Sequence, residues 1–144
     1  MLQPYFNMSQ HNVHLVDLPN EILLIILKKL DNIDVLYSLL GINNQRLDII
    51  AQEQIFTNRL NFVSILQSTD EISSLPDSIL DRFCISILHR VHQNVISLIF
   101  ESVSMEYILR AGSYPNLSQL ELFNFKQAVI SRCLMGKFFL CTDL

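Results

Sequence analysis

The chain has 144 residues, half of them hydrophobic and only 17% charged, which predicts one or two small units that either carry a sizeable interaction surface or form part of a longer protein. Its net charge of −4 argues against nucleic acid as a partner, because phosphate binding needs a basic surface. The longest aliphatic run, residues 22–27, is too short to span a membrane, and residues 1–12 do not resemble a secretory signal.

The first predicted helix runs from Pro19 to Leu30 and carries more apolar surface than a small helical hairpin can bury. Proline suits the first helical position, and Asp17 and Glu21 suit a helix N-terminus. Five apolar residues form one stripe along this helix: Ile22, Leu23, Ile26, Leu27 and Leu30. Leu24 and Ile25 fall outside that stripe. A helix that is apolar around most of its circumference must be covered from more than one direction, so we expect a partner protein to cover it.

A series of short motifs begins at this helix start and continues along the chain. Leu-Pro-x-Glu-Ile-Leu begins at Leu18, and Ile-Leu, Leu-Asp and Asp-Val-Leu follow it as far as Leu36. The series resembles the F-box, and the resemblance extends over about residues 15–62. It implies a helical module that docks onto the Skp-type linker subunit of cullin-based ubiquitin ligases. It also implies the residues that contact the linker: Leu18, Pro19, Ile22, Leu23, Ile26, Asp34 and Val35.

Two further helices are predicted before residue 62. The second helix runs from Asp34 to Leu40 or Ile42, with Gly41 as a stop signal. The third covers about residues 45–54. Seven apolar residues are expected to close this small core: Leu47, Ile50, Ala51, Ile55, Phe56, Leu60 and Phe62. A generic helical hairpin is the alternative for this region.

Residues 63–77 are predicted to form a polar joint, after which Pro76 opens another helix. Its expected core face consists of Ile79, Phe83, Ile87 and Val91. Residues 75–80 echo residues 18–23 at a distance of 57 positions. We interpret the echo as coincidence rather than as a second F-box, because charged residues interrupt the sequence that follows Pro76.

Residues 94–125 contain a 22-residue period. The pattern apolar-x-x-Leu-x-apolar occurs at Val95–Phe100 and again at Leu117–Leu122. A helix is predicted between the two occurrences, over Ser104–Ala111, with Gly112 as its stop. Strand, helix and strand at this spacing predict two parallel strands joined by a right-handed crossover. The spacing resembles leucine-rich repeats, whose units have roughly 20–29 residues; an ordinary βαβ unit is the alternative.

The period also predicts which residues are equivalent. Leu98 and Leu120 are expected at matching core positions of adjacent strands, with Phe100 and Leu122 beside them on the same inner face. Because successive strand residues point to opposite faces, we expect two residues to face outward: Ser97 and Glu121.

No catalytic or metal-binding constellation is evident in the sequence. The cysteines lie far apart, at positions 84, 133 and 141, which predicts reduced thiols and a cytoplasmic or nuclear protein. On a helix Cys84 and His89 lie about 140° apart, so with His92 they do not converge on a metal ion. We therefore expect no metal, no cofactor and no enzymatic activity.

Together these patterns predict an α+β protein. Its expected parts are a three-helix F-box-like module over residues 14–62, a joint over 63–77, a helix with two leucine-rich-repeat-like βα units over 78–125, and an irregular or truncated tail over 126–144. The implied function is that of a substrate-receptor adaptor in an SCF-type ubiquitin ligase, which binds a Skp-type linker and an unidentified target protein. The alternative is a plain leucine-rich-repeat interaction or structural domain with a helical N-terminal cap and no role in ubiquitin transfer.

Overall fold

A computed structural model describes residues 12–66 and 68–124 of the chain. Helices and strands are mixed within it, which confirms the predicted α+β class. The chain divides into two units, Met1–Leu30 and Asp31–Leu144. The tail predicted over residues 126–144 lies outside the described residues, as do Cys133 and Cys141.

The first unit contains a short 3₁₀ turn, Leu15–Asp17, and helix α1, Asn20–Leu27. Pro19 is extended and precedes the helix, and its carbonyl accepts the first helical hydrogen bond from the Leu23 N–H at 3.0 Å. The prediction that Pro19 is the first helical residue is thus off by one position. The chain leaves the helix after Leu27 through a tighter turn rather than continuing it to residue 30.

The second unit begins with three helices: α2 (Asn32–Leu39), α3 (Gln45–Ala51) and α4 (Gln54–Thr57). The Asn44 side chain caps α3 by accepting a hydrogen bond from the Leu47 N–H, since free N–H groups at a helix start need such partners. The left-handed turn before it uses Gly41 and Asn43, whose φ angles are 81° and 62°. The predicted stop after the second helix is confirmed.

Most residues that were predicted to close this helical core do so. Leu47, Ile50, Ala51, Phe56, Leu60 and Phe62 are all buried. Ile55 is the exception, because it lies on the solvent side of the four-residue helix α4 and is 45% exposed.

Strand β1 (Arg59–Asn61) follows α4, and the chain then forms an antiparallel hairpin of β2 (Val63–Leu66) and β3 (Glu71–Ser74). The predicted joint over residues 63–77 is therefore mostly a hairpin. Ser64 and Ser73 pair across its two strands, with 3.3 Å between their hydroxyl oxygens. Strand β3 has Ile72 as its one apolar residue beside a glutamate and two serines, so it lacks the apolar alternation that would have indicated a strand in the sequence.

A helical segment leads from the hairpin back to the sheet. It consists of α5 (Asp77–Arg82), a π-helical turn (Phe83–Ile87) and α6 (Leu88–Val91). Of the predicted core face, Phe83, Ile87 and Val91 are buried and Ile79 is half-buried. The Phe83 ring meets the Phe62 ring edge-on, with 5.3 Å between their centroids.

The predicted parallel strands are present with the predicted register. Strand β4 (Ser97–Glu101) and strand β5 (Gln119–Phe123) are joined through helix α7 (Met105–Arg110). Leu98 pairs with Leu120, and Phe100 with Leu122. The 22-residue period therefore corresponds to one strand-to-strand step of the sheet.

Strand β1 adds a third parallel strand that the period did not reveal. The sheet order is β1-β4-β5, and Leu60 pairs with Leu98. The same hydrogen-bonding pattern recurs at both steps. The Asn58 carbonyl accepts from the N–H groups of residues 96 and 97, and the Ile96 carbonyl accepts from those of residues 118 and 119. The predicted helical module ends at residue 62. The sheet extends across that boundary, because β1 lies inside the predicted module and pairs with β4 of the predicted repeat region.

Burial across the sheet differs from the prediction in one respect. Glu121 is exposed as expected, but Ser97 is only 4% exposed and Ile99 on its face is buried too. As the central strand of the three, β4 is covered on both faces. Leu98 and Phe100 are fully buried, whereas Leu120 and Leu122 on the edge strand β5 are half-buried.

Candidate partner-binding surface

Helix α1 leaves much of its apolar surface exposed. Ile22, Ile25 and Ile26 are 45%, 57% and 39% exposed. Ile25 and Ile26 lie three and four residues after Ile22, which places both side chains beside it on the helix. The three isoleucines form one continuous apolar surface, which we call the isoleucine patch. Leu30, just beyond the helix, is 49% exposed. Soluble proteins rarely leave large contiguous apolar surface uncovered unless it binds something.

The other side of α1 is buried. Leu23 and Leu27, four residues apart, are 0% and 2% exposed. Only these two of the five residues in the predicted stripe belong to the core. The buried side of the helix is therefore narrow: Leu24 beside it is half-buried, and the three isoleucines face solvent. Glu21, Lys28 and Lys29 are exposed around it, which gives the isoleucine patch a polar border.

The seven residues predicted to contact a linker have different exposures. In the first unit, Pro19, Ile22 and Ile26 are exposed and Leu18 is half-buried. Leu23 is fully buried, so its assignment to a contact surface does not fit the structure. The predicted set did not include Ile25, which is the most exposed residue of the isoleucine patch. Its signal in the sequence was an apolar side chain on an otherwise polar helix face.

The remaining two residues of the predicted set lie at the start of α2 in the second unit. Asp34 is exposed in the first turn of that helix, where a carboxylate interacts favourably with the helix dipole. Val35 is fully buried and, like Leu23, does not fit a contact surface. Both buried residues are core residues, because their whole side-chain surface is already covered within the chain.

Residues 12–66 and 68–124 contain no cluster of three metal-ligating side chains. Burial, helped by the nearby Asp81 carboxylate, raises the pKa of the Cys84 thiol to about 11, so this cysteine is protonated at neutral pH and a poor nucleophile. The described helices include none that is long and apolar enough to cross a membrane.

Comparison with known proteins finds no protein-family model, no curated protein and no solved structure that matches the chain.

Proposed function

We propose that the chain is an F-box-like adaptor of a cullin-based ubiquitin ligase, which binds a Skp-type linker through the isoleucine patch and the adjoining Leu18 and Pro19. The observation that carries the proposal is the exposure of three neighbouring isoleucines on one short helix. The motifs from Leu18 to Leu36 supply the identity of the partner. Catalysis would belong to other subunits, and the adaptor would act by holding a target near them.

The size of the patch is consistent with a stable complex. Burying an isoleucine side chain that starts fully exposed contributes about 1.5–3 kcal/mol, so each half-exposed isoleucine of the patch would contribute about half of that. A few central apolar anchors usually supply most of the affinity of an interface, while a polar border surrounds them. Ile22, Ile25 and Ile26 would be the anchors, and the exposed Glu21 and Lys29 would lie at the border.

The second unit would carry the target protein. Its parallel strands repeat the same pairing over two steps, as repeat proteins do when they build an extended binding surface. The same observation favours the alternative function, a leucine-rich-repeat interaction or structural domain with a helical N-terminal segment and no ligase role. The two functions differ in whether a Skp-type linker binds.

The test is co-purification of the full chain with a Skp-type linker, followed by titration calorimetry. We expect a one-to-one complex. Replacing Ile22 or Ile26 with serine should raise the Kd by about 3-fold to 12-fold for each residue, because each side chain is less than half exposed and its remaining burial contributes roughly 0.7–1.5 kcal/mol. Serine and isoleucine have similar helix propensities, so the helix should remain intact.

Two exposed isoleucines of the second unit provide matched controls. Ile49 on α3 and Ile85 in the π-helical turn are 60% and 67% exposed, and serine at either position should leave the Kd unchanged. If the Ile22 and Ile26 variants bind as tightly as the parent chain, the contact surface is wrong. If the parent chain forms no complex with the linker, the adaptor function is wrong and the alternative is favoured.

A further inference from the structure

A polar cavity of about 410 Å³ opens at the edge of the sheet where the parallel strands begin. It lies entirely within the second unit. Four of its five lining residues carry side-chain carboxamides and the fifth is apolar: Gln54, Gln93, Asn94, Asn116 and Ile96. Each lies in a segment that leads into a strand, because Gln54 begins α4 before β1, residues 93–96 precede β4, and Asn116 precedes β5.

The fold holds two of these segments together. The Asn116 side-chain amide donates a hydrogen bond to the Gln93 carbonyl at 2.6 Å, and the Ser113 hydroxyl lies 3.2 Å from His92 Nδ1. The loop before β5 is therefore attached to the 3₁₀ turn before β4. Because these hydrogen bonds already hold the cavity wall in place, ligand binding does not have to order it. The conformational entropy cost of binding is therefore smaller.

The carboxamides in the cavity have unused hydrogen-bonding capacity. Asn116 keeps its side-chain oxygen as an acceptor. In the described structure, the side chains of Gln54, Gln93 and Asn94 make no hydrogen bond within the protein, and all three are exposed. A carboxamide offers both donors and acceptors, and the described residues of the lining include no charged group. The cavity is therefore suited to a neutral ligand that presents donors and acceptors side by side.

We propose that this cavity binds an uncharged, extended peptide segment through its backbone. In an extended segment the N–H and the C=O of one residue point to the same side, so one carboxamide donates a hydrogen bond to that C=O and accepts one from that N–H. An extended segment leaves these backbone groups unpaired and available. Ile96 provides apolar contact for a small side chain. The volume falls within the range of roughly 300–1,000 Å³ that is usual for ligand sites.

Other ligand classes fit the lining less well. Phosphate or carboxylate recognition uses arginine, lysine or clustered backbone N–H groups, and neither arginine nor lysine is among the lining residues within 12–66 and 68–124. Nucleobases bind by stacking on aromatic rings, and none of the five described lining residues is aromatic. The inference does not depend on linker binding, since all five residues belong to the second unit and none belongs to the isoleucine patch.

The experiment is an NMR titration of the ¹⁵N-labelled full chain with capped tetra-alanine, an uncharged peptide. We expect saturable shifts of the side-chain amide signals of Gln93 and Asn94. Replacing either residue with alanine should raise the Kd for the peptide at least 10-fold. Gln45→Ala removes an exposed carboxamide outside the cavity and should leave the Kd unchanged.

Three results would overturn the proposal. The first is a peptide titration that shifts no cavity signal. The second is an equal loss of affinity in the Gln45 variant, which would indicate nonspecific contact. The third is maltose or inorganic phosphate shifting the same signals at lower concentration than the peptide, which would identify a saccharide or anion site. None of these results bears on the linker titration, so the two proposals fail separately.

Discussion

Gly112 packs so closely against His92 that a β-carbon at position 112 would lie 2.6 Å from the His92 Cβ and 3.0 Å from its Cγ. The Tyr114 ring would be 3.3 Å away on another side. The sequence predicted this glycine as a helix stop, but its φ is not in the left-handed region. The glycine is required here because there is no room for a side chain.

Gly112→Ala should therefore lower the free energy of unfolding by about 1–3 kcal/mol, the usual cost of overfilling a packed site. Urea denaturation measures this change. Gly41 is the matched control, because its φ of 81° is left-handed while the atom nearest to an added β-carbon, from Arg90, would be 4.0 Å away. Asparagine tolerates that φ, so Gly41→Asn should cost less than Gly41→Ala. At position 112 asparagine should cost more than alanine, and the opposite order would contradict the packing explanation.

Leu98 and Leu120 should differ in their contributions to stability although they are paired in the sheet. Leu98 is fully buried in the central strand, so Leu98→Ala should cost about 2–5 kcal/mol. Leu120→Ala should cost clearly less, because Leu120 is half-buried on the edge strand. Leu60→Ala should resemble Leu98→Ala, because Leu60 is also fully buried. Chemical denaturation measures the free energy of unfolding of each variant. If Leu98→Ala and Leu120→Ala lower it equally, β5 is covered more completely than the described residues show.

Asn124 connects the end of β5 to the hairpin. Its side-chain amide donates to the Ile72 carbonyl at 3.0 Å and to Glu101 Oε1 at 2.9 Å, and its φ is 50°. Asn124→Gly keeps the left-handed backbone and removes the hydrogen bonds, so we expect a loss of about 1 kcal/mol. Asn124→Ala adds backbone strain of about 1–2 kcal/mol. Hydrogen exchange at the hairpin amides should accelerate in both variants, and unchanged exchange would show that the contact does not hold the hairpin.

Stability should fall at alkaline pH, and Cys84 should account for part of the fall. Its pKa is raised from 9.0 to about 11 in the folded chain. The unfolded chain therefore loses the thiol proton first, so this stabilisation is present below about pH 9 and is lost as the pH rises toward 11. At neutral pH Cys84→Ala should have a lower free energy of unfolding than the parent chain, because it loses packing. This difference in free energy of unfolding should shrink between pH 9 and 11.

Ile87→Val is the control for the pH experiment, because a buried aliphatic neighbour does not titrate and its stability difference should not depend on pH. Burial also raises the pKa of Tyr114, whose hydroxyl donates to the Ile108 carbonyl at 2.6 Å. Tyr114 therefore adds a loss of stability at higher pH in the parent chain and in Ile87→Val, and the loss should be smaller in Cys84→Ala because the Cys84 thiolate adds to the rise in the Tyr114 pKa. A difference between the parent chain and Cys84→Ala that stays constant from pH 8 to 11 would contradict the role given to the thiol.

The sequence alone determined the features that depend on local spacing. Apolar periodicity located α1, α3 and α7, and the 22-residue period predicted the pairing of Leu98 with Leu120. Such predictions succeed because a repeated strand–helix unit can pack only if equivalent residues meet in register. The sequence also showed that α1 carries more apolar residues than one packed face needs, which led to the expectation that a partner protein covers it.

Only the tertiary structure decided which apolar surfaces are covered and which distant segments pair. Strand β1 lies 38 residues before the matching position in β4. Leu60 and Phe62 fit the last two apolar positions of the repeated pattern, but Thr57 stands at its first apolar position and the spacing is not 22 residues. The burial of Leu23 and Val35, and the exposure of Ile25, depend on what packs against each helix face. The carboxamide cavity likewise exists because parallel strands bring their three entry segments to one edge of the sheet. Exposure and long-range pairing are properties of the packed chain, which local periodicity does not encode.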